Sequence, residues 1–237
     1  MSRLVQGDER RARVSGSLLC GQRGSWYNQE VTIFDISPPV SVETATWPGD
    51  TPFRVDPRWT TDDGAVNVAR LTLSAHTGAH ADAPFHYDPE GETIDAVGLE
   101  PYLGRCRVVD VSSAGNPIPA AVAEELPSGV RRVLLFTGRS PDRSQWPEHY
   151  AAVSSELVDA LGHRGVQLLG VDTPSLDPVD ARQLHAHEAA RRHRMAILEE
   201  LVLDEVPPGD WELIALPLRL VGADASPVRA VLRSLQR

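Results

Sequence analysis

The segment Ser74-Ala-His76-Thr-Gly-Ala-His80-Ala-Asp82-Ala-Pro-Phe-His86 constrains this chain more than any other. Three histidines and one aspartate fall within its last eleven residues, in a chain of 237 residues with 8 histidines. At that frequency an eleven-residue window should hold about 0.4 histidine. The four residues are also separated by even numbers. In an extended backbone, side chains alternate between faces, so even spacing puts all four on one face. A helix would align His76 with His80 but turn Asp82 well away. The small residues between them (Gly78, Ala79, Ala81, Ala83) leave room for bulky ligands and for close backbone approach. Pro84 ends the predicted strand and places His86 on the following loop.

Imidazole plus carboxylate is a ligand set suited to zinc and similar divalent ions, and an aspartate can bridge two of them. The plain alternative is a row of surface histidines on an ordinary strand. Four ligand-type residues on one face argue against it. Further ligands have to come from elsewhere. His149 reads as a loop residue, and His163 sits at a helix end, where a cation offsets exposed carbonyls. His185, His187 and His193 share a stretch with Glu188 and Glu199 that reads equally well as a solvated, arginine-laced helix. Spacing alone does not choose among these histidines.

The rest of the pattern gives an α/β chain. Strands are expected at 31–36, 68–74, 105–111, 132–137 and 166–172, and a late one at 211–220 is broken by Pro217. Short helices are expected at 119–126, at 154–161 with Ser154 or Ser155 as cap and Gly162 as terminator, and from Asp180 to about Arg194. A C-terminal segment opens with Ser226 as N-cap and Pro227 at N1. Asp172, Thr173 and Ser175 follow a strand, where they line a pocket or make a turn. Residues 1–30 read as a disordered N-terminal extension, and 31–237 as a single catalytic domain.

Charge and composition narrow the function. The formal charge is −10, and all 23 basic residues are arginine. An acidic chain does not point to nucleic acid. The absence of lysine excludes a Schiff-base lysine and a lysine-dependent phosphate loop. No Gly-x-Ser-x-Gly elbow and no Gly-x-Gly-x-x-Gly turn exists, which disfavours a serine hydrolase and a Rossmann dehydrogenase. Two cysteines, Cys20 and Cys106, make no disulfide framework, and no apolar run reaches membrane-spanning length. Leu18-Leu19-Cys20 is a weak lipoprotein-like signal. A cytoplasmic chain with free thiols, no membrane partner and a small-molecule partner is the expectation.

The run His76-Thr-Gly-Ala-His80-Ala-Asp82-Ala-Pro-Phe-His86 resembles the hallmark of the metal-dependent cyclase-like hydrolases. Thr46 to Phe53, Gly170 to Pro178, Arg192 to Glu199 and Ile214 to Leu220 extend the resemblance to the bacterial kynurenine formamidase (arylformamidase) branch of that family. It runs from about Val31 to the C-terminus. It implies a cyclase-like swivelling β/β/α fold: a β-rich core of mixed, barrel-like sheet with surrounding helices. It implies two divalent ions, zinc first and manganese as the alternative. His76, His80 and Asp82 would hold one ion, with Asp82 bridging to a second; His187 would bind the second ion, and Glu199 would bridge both. His86 would shuttle a proton, Trp47 would contact an aromatic substrate, and the chain would form a homodimer. The implied reaction is hydrolysis of N-formyl-L-kynurenine to L-kynurenine and formate, in tryptophan breakdown by the kynurenine pathway. Another aryl or cyclic amide is the close alternative, and a non-catalytic metal-binding protein is the alternative from a different class.

Two residues depart from the pattern. Ala79 stands where threonine is usual, removing a hydroxyl that can support a ligand. His185 lies two residues from His187 and is a rival ligand. His187 and Glu199 are twelve residues apart, about 18 Å along a continuous helix. If both serve one ion pair, the helix has to stop near Met195 and the chain has to turn back.

Overall fold

The computed structural model describes residues 11–15, 30–59, 64 and 66–235. Its strands are β1 (Arg11–Ser15), β2 (Glu30–Asp35), β3 (Arg54–Trp59), β4 (Val68–Thr72), β5 (His80–Asp82), β6 (Leu103–Asp110), β7 (Arg132–Phe136), β8 (Leu168–Val171), β9 (Ala196–Glu199), β10 (Gly209–Ile214), β11 (Ala225–Pro227) and β12 (Val231–Arg233). Three helices, α1 (Ala121–Glu124), α2 (Ser155–His163) and α3 (His185–Arg192), lie between β6 and β9. Ten strands form one mixed sheet in the order β1-β2-β12-β10-β6-β7-β8-β9-β5-β11, and β3 and β4 pair only with each other.

The centre of the sheet, β6 to β9, is parallel, and each connection carries one helix. Parallel strands of this kind are covered on both faces and read as continuous apolar runs. The sequence Arg132-Val-Leu-Leu-Phe is such a run. Val133, Leu135, Leu169, Val171 and Ile197 face the helices, against Leu157, Leu161, Ala186, Ala189 and Ala190. Leu134, Leu168 and Leu198 alternate to the other face, against Phe34, Val108, Leu213 and Leu232. Truncating one of these leucines to alanine costs about 2–5 kcal/mol.

Local signals explain the helix ends. Ser154 Oγ accepts a hydrogen bond from Leu157 N at 3.1 Å, the cap expected for α2. The helix runs on through Gly162 to His163, so Gly162 does not terminate it. A Cβ on Gly162 would lie 2.2 Å from the His193 ring, so glycine is there to let α2 and α3 approach. Helix α3 is shorter than expected and ends at Arg192. Arg194, at φ +50°, turns the chain, which returns as β9 alongside β8. This is the reversal that bringing His187 and Glu199 together requires.

Two expectations change. The C-terminal segment forms β11 and β12 instead of the helix that Ser226 and Pro227 signalled. Val228, Ala230 and Leu232 are buried at alternate positions, and that period of two wins over the capping signal. Ser226 Oγ instead accepts from Leu218 N at 2.8 Å. In the N-terminal extension, expected to be disordered, Arg11–Ser15 pairs with β2. Residues 1–10 and 16–29, Cys20 included, lie outside the described residues. Among the described residues no helix is long and apolar enough to cross a membrane.

Candidate metal centre and active-site pocket

Strand β5 carries the first ligands. It pairs with β9 so that His80 faces Glu199, and with β11 so that Asp82 faces Ala225. Facing residues on antiparallel strands are near neighbours, which is how a residue from beyond α3 reaches His80. His80 and Asp82 share one face, as their spacing predicts. The strand is only three residues long, however. His76 lies in a turn before it, and His86 ends a 3-10 turn, Pro84–His86, after it. Gly78, at φ +66°, bends the chain between His76 and His80. The outer two histidines therefore converge through turns: His86 follows the strand, as Pro84 predicts, whereas His76 precedes it, where an extended strand was expected.

Three histidines are held in the same manner. His76 Nε2 lies 3.0 Å from Asp224 Oδ2, and its Nδ1 lies 3.2 Å from Asp82 Oδ1. His80 Nδ1 lies 2.8 Å from the carbonyl of Gly78. Its Nε2 is 3.4 Å from Asp82 Oδ1 and 3.5 Å from Glu199 Oε2. His187 Nδ1 lies 2.6 Å from Asp177 Oδ2, and its Nε2 is 3.4 Å from Asp82 Oδ2 and 3.5 Å from Glu199 Oε1. Each ring thus turns one nitrogen to an oxygen acceptor on the outside and the other towards Asp82. An outer acceptor fixes the tautomer so that the inner nitrogen offers its lone pair.

The inner atoms lack ordinary partners. His80 Nε2, His187 Nε2 and both carboxylate oxygens of Asp82 are buried without a hydrogen bond. Buried polar groups are almost always satisfied, so four such atoms around one point call for a further group. His76, His80 and Asp82 offer ligand atoms within 4.8 Å of one another, as do Asp82, His86 and His187. This donor set fits one or two divalent cations. Glu199 is buried in the same cluster and accepts from Leu176 N at 2.8 Å.

The electrostatics agree. Burial opposes charging the imidazoles, but Asp82 and Asp224 outweigh it and hold His76 at about 9. His187 is raised well above its ordinary value, against burial, by Asp177, Asp82 and Glu199. Burial also pushes the carboxyls upwards, yet the histidines hold Asp82 well below the carboxylate range and Glu199 below its own. The cluster demands positive charge at its centre: protons on the imidazoles, or a divalent cation in their place.

A pocket of about 500 Å³ opens onto this cluster. His76, His80, His86, His187, Glu199 and Asp224 line its base, and Trp47, Pro48, Trp146, Pro174 and Leu184 make its apolar wall. Trp47 meets Trp146 edge-on, with ring centroids 5.2 Å apart. His86 is part-exposed there, with Nδ1 3.4 Å from Asp224 Oδ2. Ser175 also lines the pocket. Asp172 instead ties the end of β8 to the end of β7, its carboxylate accepting from Thr137 N and Thr137 Oγ1.

All seven residues singled out from the sequence (Trp47, His76, His80, Asp82, His86, His187, Glu199) lie in this cluster or line this pocket. His185 does not: its side chain is 65% exposed and its near charge is Glu188 at 3.9 Å. His163 and His193 meet edge-on between α2 and α3, with Asp159 on His193. Sequence reasoning assigned no role to Asp177, Asp224 and Trp146. Asp177 sits in the stretch Gly170 to Pro178, which carried the resemblance, and that was its one signal. Asp224 and Trp146 are single residues in loops, where no spacing marks them.

The fold has known counterparts. A predicted metal-dependent hydrolase from Bacillus stearothermophilus superposes with a TM-score of 0.74 at 23% identity, over 86% of this chain and 99% of that one. Isatin hydrolase A from Ralstonia solanacearum gives 0.71 at 23%, over 86% of this chain and 92% of that one. Isatin hydrolase A from Labrenzia aggregata, bound to benzyl benzoate, gives 0.72 at 23%, over 87% and 94%. At these identities the likeness is one of fold, and it matches the cyclase-like mixed sheet expected from the sequence. The Cyclase family model matches residues 34–178, more than half of the chain and the whole His76–His86 run, so the chain belongs to the Cyclase family.

Proposed function

We propose that the chain is a metal-dependent amide hydrolase acting on N-formyl-L-kynurenine, releasing L-kynurenine and formate. The observation that carries this reading is the ring of unpartnered buried atoms on His80, Asp82 and His187 at the base of an aromatic-walled pocket. In it, His76, His80 and Asp82 would hold one divalent ion and Asp82 and His187 a second, with Glu199 serving both, zinc before manganese. Bound there, such ions supply Lewis acidity, which makes water nucleophilic near neutral pH and polarises an amide carbonyl.

The chain's own residues do the rest. Asp224, facing His86 Nδ1, favours the proton on that nitrogen and leaves Nε2 to exchange a proton with substrate. His86 Nε2 takes a proton from the attacking water and passes it to the departing arylamine nitrogen, a general acid–base role worth about 10²–10⁴ in rate. Trp47 and Trp146 receive the aryl ring. Pro48, Pro174 and Leu184 exclude water around it. The protein works in the cytoplasm as a homodimer, within tryptophan breakdown.

One observation favours a second substrate. No arginine is among the pocket's described lining residues, so a substrate carboxylate meets no guanidinium there. An uncharged cyclic aryl amide needs none, and two proteins sharing this fold are isatin hydrolases. Both compounds should therefore be assayed with the purified protein, before and after chelation and zinc return. Turnover of N-formyl-L-kynurenine that chelation removes and zinc restores supports the first reading. Turnover of isatin alone moves the assignment to cyclic amides. Tight metal without turnover of either leaves a non-catalytic metal-binding protein.

A further inference from the structure

Two arginines after β7 turn inward. The side chains of Arg139 and Arg143 are 12% and 5% exposed, and both meet Glu200. Arg139 Nη1 is 2.9 Å from Glu200 Oε1, and Arg143 Nε is 2.6 Å from Glu200 Oε2. Glu200 directly follows the metal-cluster residue Glu199 and sits at φ +59°. A non-glycine residue holds that left-handed conformation only where its surroundings impose it.

Arg143 reaches further. Its Nη2 donates to the carbonyl of Leu201 at 2.8 Å and to that of Asp172 at 3.2 Å. Glu200 N donates to Thr173 O at 2.9 Å, in the same junction. The segment from Asp172 onwards supplies Leu176 N to the Glu199 carboxylate and Asp177 to His187. One guanidinium therefore ties the strand end that carries Glu199 to the loop that orients both Glu199 and His187. A planar fork with five donors can serve a carboxylate and two carbonyls at once, which an ammonium cannot do in this geometry. The backbone of Arg143 also accepts from Ala45 N at 2.8 Å, two residues before Trp47.

We infer that Arg143 is a positioning residue for the second metal position, the one bounded by Asp82, His187 and Glu199. The inference rests on the two-ion reading above. His76 and His80 take their outer acceptors from Asp224 and Gly78, neither of which Arg143 touches. Glu199 Oε2 also lies 3.5 Å from His80 Nε2, so losing Arg143 should weaken the second ion most and the first less.

The test is a cobalt(II) titration of the metal-free full-length chain, followed by its visible spectrum and by competition with a chromophoric chelator. The wild type should take two equivalents. Arg143→Met should weaken the second about tenfold or more, the scale of effect typical of groups that orient metal ligands. The first, which shares Glu199 but keeps His76, His80 and Asp82, should weaken by less than the second. Glu200→Gln, which keeps the side chain's shape, should shift the second equivalent in the same direction by less, and it carries the test if Arg143→Met does not fold. Equal weakening of both ions, with a lower melting temperature of the metal-free protein, would make Arg143 a fold-holding residue and overturn the inference. So would two unchanged equivalents in Arg143→Met. A wild type that binds a single ion would overturn the two-ion reading itself, and the inference with it.

Discussion

His80 and Trp47 face one pocket and are held in opposite ways. His80 is 2% exposed and lies on a strand paired on both sides, with one ring nitrogen 2.8 Å from a carbonyl. Trp47 is 41% exposed, on the Pro- and Gly-rich loop before β3, and its ring rests edge-on against Trp146. The metal cluster is over-determined: strand register, outer acceptors and burial all fix the same atoms. The aromatic wall is fixed by a few loop contacts. A site built this way should be unforgiving of changes to its chemistry and tolerant of changes to its substrate.

The sharpest test of that contrast is His80→Ala. It removes an inner nitrogen from the cluster and leaves Asp82 and Glu199 short of a partner. Metal assistance contributes several kcal/mol to a hydrolytic barrier, and each 1.36 kcal/mol is tenfold in rate. The expected fall in kcat/KM is therefore about a thousandfold, with less metal per chain by elemental analysis. A variant that kept its full metal content and a tenth of its activity would show that the cluster is not over-determined.

A smaller effect is expected from Asp177→Asn. Asp177 accepts from the backbone N–H groups of Ala186 and His187 and faces His187 Nδ1. Asparagine can still cap the start of α3 but no longer supplies the anion behind the imidazole. Metal affinity should fall about 10- to 100-fold, read by competition with a chelator of known affinity. Unchanged affinity would mean that Asp177 serves the helix alone, and that the cluster is held less redundantly than its geometry indicates.

The same contrast explains what could be read from the sequence. His80 and Asp82 were legible because strand alternation is a local rule, and the pair obeys it. The reversal after α3 was legible because helix rise forbids two ligands 18 Å apart from sharing an ion pair, at about 1.5 Å per residue. The turn that carries His76 was not legible, since even spacing looks alike in a strand and in a turn that Gly78 bends. The C-terminal strands were misread because a capping pair is a strong local signal. Only the sheet, through β5 and β2, makes the alternation of Val228, Ala230 and Leu232 decisive. Asp224 reaches His76 across 148 residues of chain, a contact that topology alone creates.

The smallest expected effect belongs to Trp47→Ala, and it separates the two halves of the pocket most cleanly. An aryl ring resting on an exposed indole makes the same contact before and during bond cleavage. Losing such a contact removes uniform binding, which raises KM and leaves kcat alone. Aromatic contacts of this kind are worth about 0.5–1.5 kcal/mol beyond area burial, so KM should rise about tenfold or less. The kcat should stay within about twofold, and Trp47→Phe should recover most of the loss. Steady-state kinetics on whichever aryl amide the protein turns over would decide it. If kcat collapsed while KM held, Trp47 would be fixing the substrate against the reacting centre. The wall would then belong to the same rigid unit as His80, and the division between hard chemistry and soft specificity would fail.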